Sequence, residues 1–167
     1  MDAKRLSSEL RTGEGGFLSH RRAIVACGMA AAGAMGLIAL YQIGLIKHLP
    51  EPPLSGLDAD KVDSSEEAYS YFHTPDAFIG LGSYAATMGP AAMGGKDRAM
   101  TTPWIPLALL AKVTADAIQA GRLTIDQWTK HKAFCFWCLL AAAATFVSLP
   151  LAVPEAAAAL REVRKRF

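Results

Sequence analysis

The chain has 167 residues and a mass of 17.8 kDa; 52% of its residues are hydrophobic, only 19% are charged, and its mean hydropathy is +0.23. That balance excludes disorder, a collagen-like fibre and a disulfide scaffold, and it makes a water-soluble globule the weaker expectation. Seventeen basic against 15 acidic side chains leave a net charge of +2, too small to draw nucleic acid, whereas the apolar residues come in blocks that make a lipid bilayer the expected partner.

A basic tail, residues 1–22, precedes the first block. From Ala23 to Ile46 the chain then runs 24 residues without a charge, which at about 1.5 Å per residue exceeds a hydrocarbon core of about 30 Å. Arg21-Arg22 resembles a twin-arginine signal and Ile24-Val25-Ala26-Cys27 a lipoprotein cleavage box. Neither fits, because only four apolar residues precede Cys27, where a signal needs about 7–15, and the run continues far beyond it. The loop Lys47–Asp76 is acidic, with Glu51, Asp58, Asp60, Asp63, Glu66 and Glu67. Within it Pro50-Glu51-Pro52-Pro53 is a stiff spacer, and Ser64-Ser65-Glu66-Glu67 has the capping-box pattern ahead of Ala68, Tyr69, Tyr71 and Phe72. A short amphipathic helix on the membrane surface is expected there.

The second span, Ala77–Met93, is rich in Gly80, Gly82 and Gly89, small residues that let helices approach closely in lipid. The third, Trp104–Ala120, holds Lys112 and Asp116 one turn apart, a spacing that lets the two charges neutralise each other. The fourth, Ala133–Val153, is free of charge and is expected to stop at Pro150 and Pro154, where N–H groups are missing. A second basic tail, residues 154–167, follows. The expected architecture is an all-α, integral membrane four-helix bundle over residues 23–153. Lysine and arginine concentrate in both tails and in the short loop holding Lys96 and Arg98, so both termini belong in the cytoplasm and the acidic loop outside. Compact loops and the lack of a retention signal suggest a bacterial inner membrane.

Two of the three cysteines form Cys135-Phe136-Trp137-Cys138 in the first turn of the fourth span. Residues three apart share a helix face, so the sulfurs can close a disulfide or hold one metal, and the free N–H groups of the helix start stabilise a thiolate. The orientation puts the pair at the outer end of the span, between an oxidising compartment and the lipid where a quinone dissolves. Buried cysteines that merely pack are the bland alternative, and packing is the expected role of Cys27. No metal is expected, since only His131 and His73 stand near as further ligands and a structural zinc site wants four.

Lys132-Ala133-Phe134-Cys135-Phe136-Trp137-Cys138-Leu139-Leu140, opening the last of four spans, resembles the vitamin K epoxide reductase family. So does Ser65-Glu66-Glu67-Ala68-Tyr69-Ser70-Tyr71-Phe72-His73-Thr74-Pro75 leading into Ala77-Phe78-Ile79-Gly80-Leu81, and together the likeness covers about residues 20–155. The resemblance implies a four-helix bundle enclosing a quinone, with Cys138 facing the quinone and Cys135 exchanging with a relay pair of loop cysteines that passes electrons to a thioredoxin-like protein. This chain departs from the pattern in four ways: its outer loop holds no cysteine, Asp60 stands about where the relay cysteine nearest the second helix belongs, it contains no asparagine, and Ala142 follows Cys138 by one turn where the family has tyrosine. No thioredoxin-like domain follows the fourth span, so such a partner is expected as a separate chain.

The leading expectation is a membrane thiol-disulfide oxidoreductase that exchanges electrons between the Cys135/Cys138 dithiol and a quinone, with any relay supplied in trans. The alternative is a non-enzymatic membrane subunit that keeps the bundle and packs in a larger complex, which the missing loop cysteines favour. Metal transport is weaker, since only Cys27 and scattered methionines such as Met29, Met35, Met88 and Met93 offer further soft ligands.

Overall fold

The computed structural model describes residues 2–166. Among these every regular element is helical, and extended segments meet only in a single parallel bridge between Leu57 and Phe134. In chain order the helices are α1 (Ala3–Thr12), α2 (Leu18–Gln42), α3 (Ala59–Asp63), α4 (Asp76–Ala92), α5 (Arg98–Thr101), α6 (Trp104–Asp126) and α7 (Phe136–Lys165). Four are long and pack in a ring, α2 against α4 and α7, and α6 against α4 and α7. By length and composition two of them, α2 and α7, are apolar enough to cross a membrane. The other two fall short for local reasons: α4 has only 17 residues, and α6 carries Lys112, Asp116 and Arg122.

Glycine decides how closely α2 and α4 approach. A Cβ on Gly28 of α2 would stand 2.6 Å from Cγ of Met88, and one on Gly80 of α4 would stand 2.9 Å from the sulfur of Met35, so each helix lends the other a hole for a methionine. Such reciprocal small-to-large contacts gain dispersion energy where backbones come close. Gly28→Ile should overfill the seam and lower stability by about 1–3 kcal/mol, read as a fall in the unfolding midpoint in detergent; an unchanged midpoint would mean that the seam is slack.

The C-terminal end of α4 is held by two guanidinium groups. Arg21, buried on α2, donates from Nε to Ala91 O at 2.8 Å, from Nη1 to Gly95 O at 3.0 Å, and from Nη2 to Gly94 O at 2.8 Å and Met93 O at 3.0 Å. Arg98, only 1% exposed, donates to the carbonyls of Pro90 and Met93 and forms a two-pronged ion pair with Glu155 of α7 at 2.7 and 2.6 Å. Carbonyls that a helix leaves without N–H partners are thus satisfied by cations on the side its dipole favours. Arg21, expected in a solvated tail, is a structural clasp. Its neighbour Arg22 binds Leu10 O at 2.9 Å and Gly13 O at 2.8 Å, fastening α1 to the start of α2.

Two local expectations are corrected. Helix α7 does not stop at Pro150 or Pro154 but runs to Lys165, because each proline removes only one ladder bond while Ala152, Ala156 and Ala159 remain buried and Glu155 is anchored on Arg98. The Ser64-Ser65-Glu66-Glu67 pattern does not form a capping box. Ser65 is the N-cap of a four-residue 3₁₀ turn, Glu66–Tyr69, and its hydroxyl makes no cap bond; the regular helix in the loop is α3, whose N-cap Asp58 accepts from Lys61 N at 3.0 Å. Only Ala68 of that turn is buried, and Phe72 beyond it is 91% exposed.

Candidate active site

The loop after α2 is pinned over the head of α7 by short contacts. Asp58 N donates to Phe134 O at 2.9 Å and Phe134 N to Gly56 O at 2.8 Å, which brings α3 beside the cysteines. Trp137 Nε1 donates to Pro50 O at 2.7 Å. Asp60 is consumed in holding the loop, accepting from Leu49 N at 2.8 Å and meeting His48 Nδ1 at 2.7 Å. Gln42, at the last turn of α2, joins three elements by donating to Asp63 O at 3.3 Å and Asp76 Oδ1 at 2.8 Å and accepting from Ala77 N at 3.3 Å.

Cys135 is the N-cap of α7, and its sulfur accepts from Cys138 N at 3.2 Å. Its own N–H is bound by Gln127 Oε1 at 2.8 Å, from the π-helical turn Gln127–His131 that ends on Lys132 in the left-handed conformation. The helix start therefore points an N–H at the Cys135 sulfur. Both cysteines are free thiols, Cys135 fully buried and Cys138 partly so. The Cys138 thiol donates to Asp63 Oδ1 at 3.5 Å, and Asp63 Oδ2 is buried without a partner. Burial pushes the Asp63 carboxyl up to about 6; the two thiols beside it oppose the rise, and the charges of Asp76 and Glu51 add to it.

Ligand atoms of Asp63, Cys135 and Cys138 lie within 4.8 Å of one another. That group could hold a soft cation only with a fourth ligand from outside it, and its third member is Asp63 rather than His131 or His73. Cys27 lies outside the group, beside a small void shared with Tyr84, Thr87 and Asp116. Sequence reasoning missed Asp63 and Gln127 as neighbours of the pair. The spacing of Asp63 from Asp60, one turn of α3, was the only signal, and it is common on any acidic helix.

A cavity of about 190 Å³ opens on Cys138 between α2, α4, α6 and α7. Its apolar wall includes Met35, Ile38, Ile79 and Leu123, and its polar lining includes Ser83, Tyr84, Gln119 and Asp63. Deeper in, Lys112 and Asp116 are paired at 2.5 Å, and Ser83 and Thr87 of α4 donate to the same carboxylate at 3.1 and 2.8 Å. The pairing expected from their spacing is formed and is tied to the neighbouring helix. A second cavity, also about 190 Å³, lies on the loop side and shares Asp63, Asp76, Gln127 and Cys138 with the first. Cys138 thus borders both spaces, while Cys135 borders neither.

The model of the vitamin K epoxide reductase family matches residues 22–153, most of the chain and all of the cysteine site. The chain belongs to that family. Vitamin K epoxide reductase relatives are membrane redox proteins of the quinone-linked reductase type, and the sequence resemblance is thereby established over the four long helices. No curated protein and no solved structure matches the chain.

Proposed function

We propose that the protein is a multi-pass membrane thiol-disulfide oxidoreductase in which the Cys135/Cys138 dithiol exchanges two electrons with a quinone. The observation that carries this reading is the position of Cys138, whose sulfur borders an apolar cavity and lies close to a buried second thiol able to close a disulfide with it. The residues present suit a quinone ring. Aliphatic walls would receive its faces, and the Tyr84 hydroxyl and Gln119 amide offer donors for its carbonyl oxygens, in place of the asparagine that the chain lacks.

In the forward direction the dithiol is oxidised to the Cys135–Cys138 disulfide, and two electrons and two protons pass to the quinone, which leaves as hydroquinone. A thiol donor then reduces the disulfide. In this reading the donor is a thiol of a thioredoxin-like protein that reaches the pair directly, since the loop holds no relay cysteine.

Membrane placement draws on the outward faces of the helices. Met29 of α2, Phe78 of α4, Ile118 of α6 and Phe146 of α7 are all exposed, an apolar belt too broad for water. Trp104 opens α6 and Trp128 follows its end, both 62% exposed and about 36 Å apart at helical rise, as interfacial aromatic anchors would be. In this reading α2, α4, α6 and α7 span a bacterial inner membrane with both termini cytoplasmic. Residues 23–153 form the bundle, and the basic ends, 1–22 and 154–167, lie on the cytoplasmic side.

The test is differential labelling of Cys135 and Cys138 in membranes, with the quinone pool reduced or oxidised. The expected result is dithiol with a reduced pool and disulfide with an oxidised one. A pair fixed in one state under both conditions would overturn the proposal and leave the second reading, a non-enzymatic subunit of a larger membrane complex, which the missing loop cysteines favour.

A further inference from the structure

Asp63 is the acidic group closest to the reacting sulfur, and its surroundings are unusual for a loop carboxylate. Its side chain is buried, one oxygen accepts the Cys138 thiol at 3.5 Å, and the other has no partner although it is shut away from water. An unpaired buried carboxylate oxygen is costly in a fold that otherwise satisfies this region through Gln42, Gln127 and Asp60. The same carboxylate lines both the cavity among the helices and the cavity on the loop side. It therefore touches the thiol proton and reaches the space in which an oxidant would sit.

We propose that Asp63 is a catalytic residue, the proton acceptor that takes the Cys138 thiol proton as the sulfur reacts and returns it to the reduced quinone. The inference rests on the oxidoreductase reading above and assigns a role that the cysteines cannot perform for themselves. The Cys138 S–H bond breaks, its proton goes to Asp63, and the sulfur's electron pair attacks the quinone. Cys135, giving up its own proton, forms the S–S bond with Cys138; two electrons and two protons have then left the thiols, both protons end on the hydroquinone oxygens, and Asp63 is again a carboxylate. The disulfide is afterwards reduced by two thiol equivalents of the donor, whose two protons restore both cysteine thiols.

The groups facing Asp63 are Cys135 and Cys138 from α7, Asp76 from α4 and Glu51 from the loop, with Glu67, Arg122, Asp126, Lys130 and His131 around the outer cavity. Burial and the two carboxylates hold its proton more tightly than water would, which brings its ionisation to about 6, where a proton acceptor serves at neutral pH. It accepts only when ionised, so the assisted rate falls as pH drops through that region.

The test uses the full chain in detergent micelles or nanodiscs, with Asp63→Asn and Asp63→Glu, and two readouts. The first needs no quinone: in a Cys135→Ser background, the rate at which iodoacetamide alkylates Cys138 is measured from pH 5 to 9. With Asp63 present the profile has a limb with its midpoint near the Asp63 ionisation; Asp63→Asn removes that limb and slows alkylation at pH 7 at least about tenfold, while Asp63→Glu keeps it. The second is single-turnover reduction of a short-chain quinone by the dithiol, where Asp63→Asn should lose about 10²–10⁴-fold, the usual worth of a positioned acid or base. A structural role alone would leave the midpoint of the limb unmoved. If Asp63→Asn keeps both the limb and the rate, the assignment is overturned; if the limb moves while the unsubstituted dithiol fails to reduce quinone, Asp63 keeps its role and the quinone reading falls. Should Asp63→Asn fail to fold, Asp63→Ser, smaller and equally without a titrating carboxyl, is read in its place: loss of the limb supports the assignment and an unchanged limb overturns it.

Discussion

Cys138→Ser is expected to abolish quinone-linked thiol oxidation, a loss of at least about a thousandfold, whereas Cys135→Ser should keep the first half of the reaction and stall. The two sulfurs differ in access. Cys138 borders both cavities, while Cys135 has no exposed surface and has its N–H tied to Gln127 at 2.8 Å. A small aromatic disulfide offered to Cys135→Ser protein should therefore place one mixed disulfide on Cys138 that persists, because the resolving sulfur is gone. The same reagent offered to Cys138→Ser protein should leave Cys135 unmodified until the chain unfolds. Intact-mass measurement counts the adducts directly. Rapid labelling of Cys135 in the Cys138→Ser protein would show a different route to the pair and would put the exchange with a donor on Cys135, as the family resemblance alone implies.

What could be read from the sequence divides along the range of the interactions. The dithiol was legible because its geometry is local: two cysteines three apart at a helix start must share a face, and the structure adds only that one of them is the cap. Lys112 and Asp116 were legible for the same reason, one turn apart on α6. The Gly-rich character of α4 pointed to close packing, and the methionine seats at Gly28 and Gly80 are its form. Asp63 was not legible. It stands 75 positions from Cys138 in the chain, and nothing in a run of six acidic residues marks which one the loop turns inward. Asp60, which stands about where the relay cysteine belongs in the family pattern, fastens His48 and Leu49. The Ser64-Ser65-Glu66-Glu67 pattern failed because a loop already anchored by α3 and the Leu57–Phe134 bridge leaves room for only one 3₁₀ turn before α4. The prolines of α7 do not end it, because a helix packed on two sides along its length tolerates the loss of a ladder bond that would break an isolated helix in water.

The largest expected loss of stability comes from Arg98→Met. The guanidinium has 1% of its surface exposed, pairs with both oxygens of Glu155 and caps two carbonyls at the end of α4, so its removal orphans a buried carboxylate together with Pro90 O and leaves Met93 O to Arg21 alone. Breaking a buried pair by removing one partner costs about 3–5 kcal/mol, and the unpaired carbonyl adds to that. Glu155→Leu alone should also be severe, since it leaves the cation buried with carbonyls as its remaining partners. The double substitution Arg98→Met with Glu155→Leu should recover much of the loss, because an apolar pair of similar volume has no charge to desolvate. Chemical unfolding in a fixed detergent gives the four corners of the cycle, and a coupling of at least about 1 kcal/mol is expected between side chains that touch so directly. Additive losses would show that Arg98 acts through the α4 carbonyls and not through Glu155. In that case Arg21, which holds the same end of α4 through Ala91 O and Gly94 O, should be coupled to Arg98 instead.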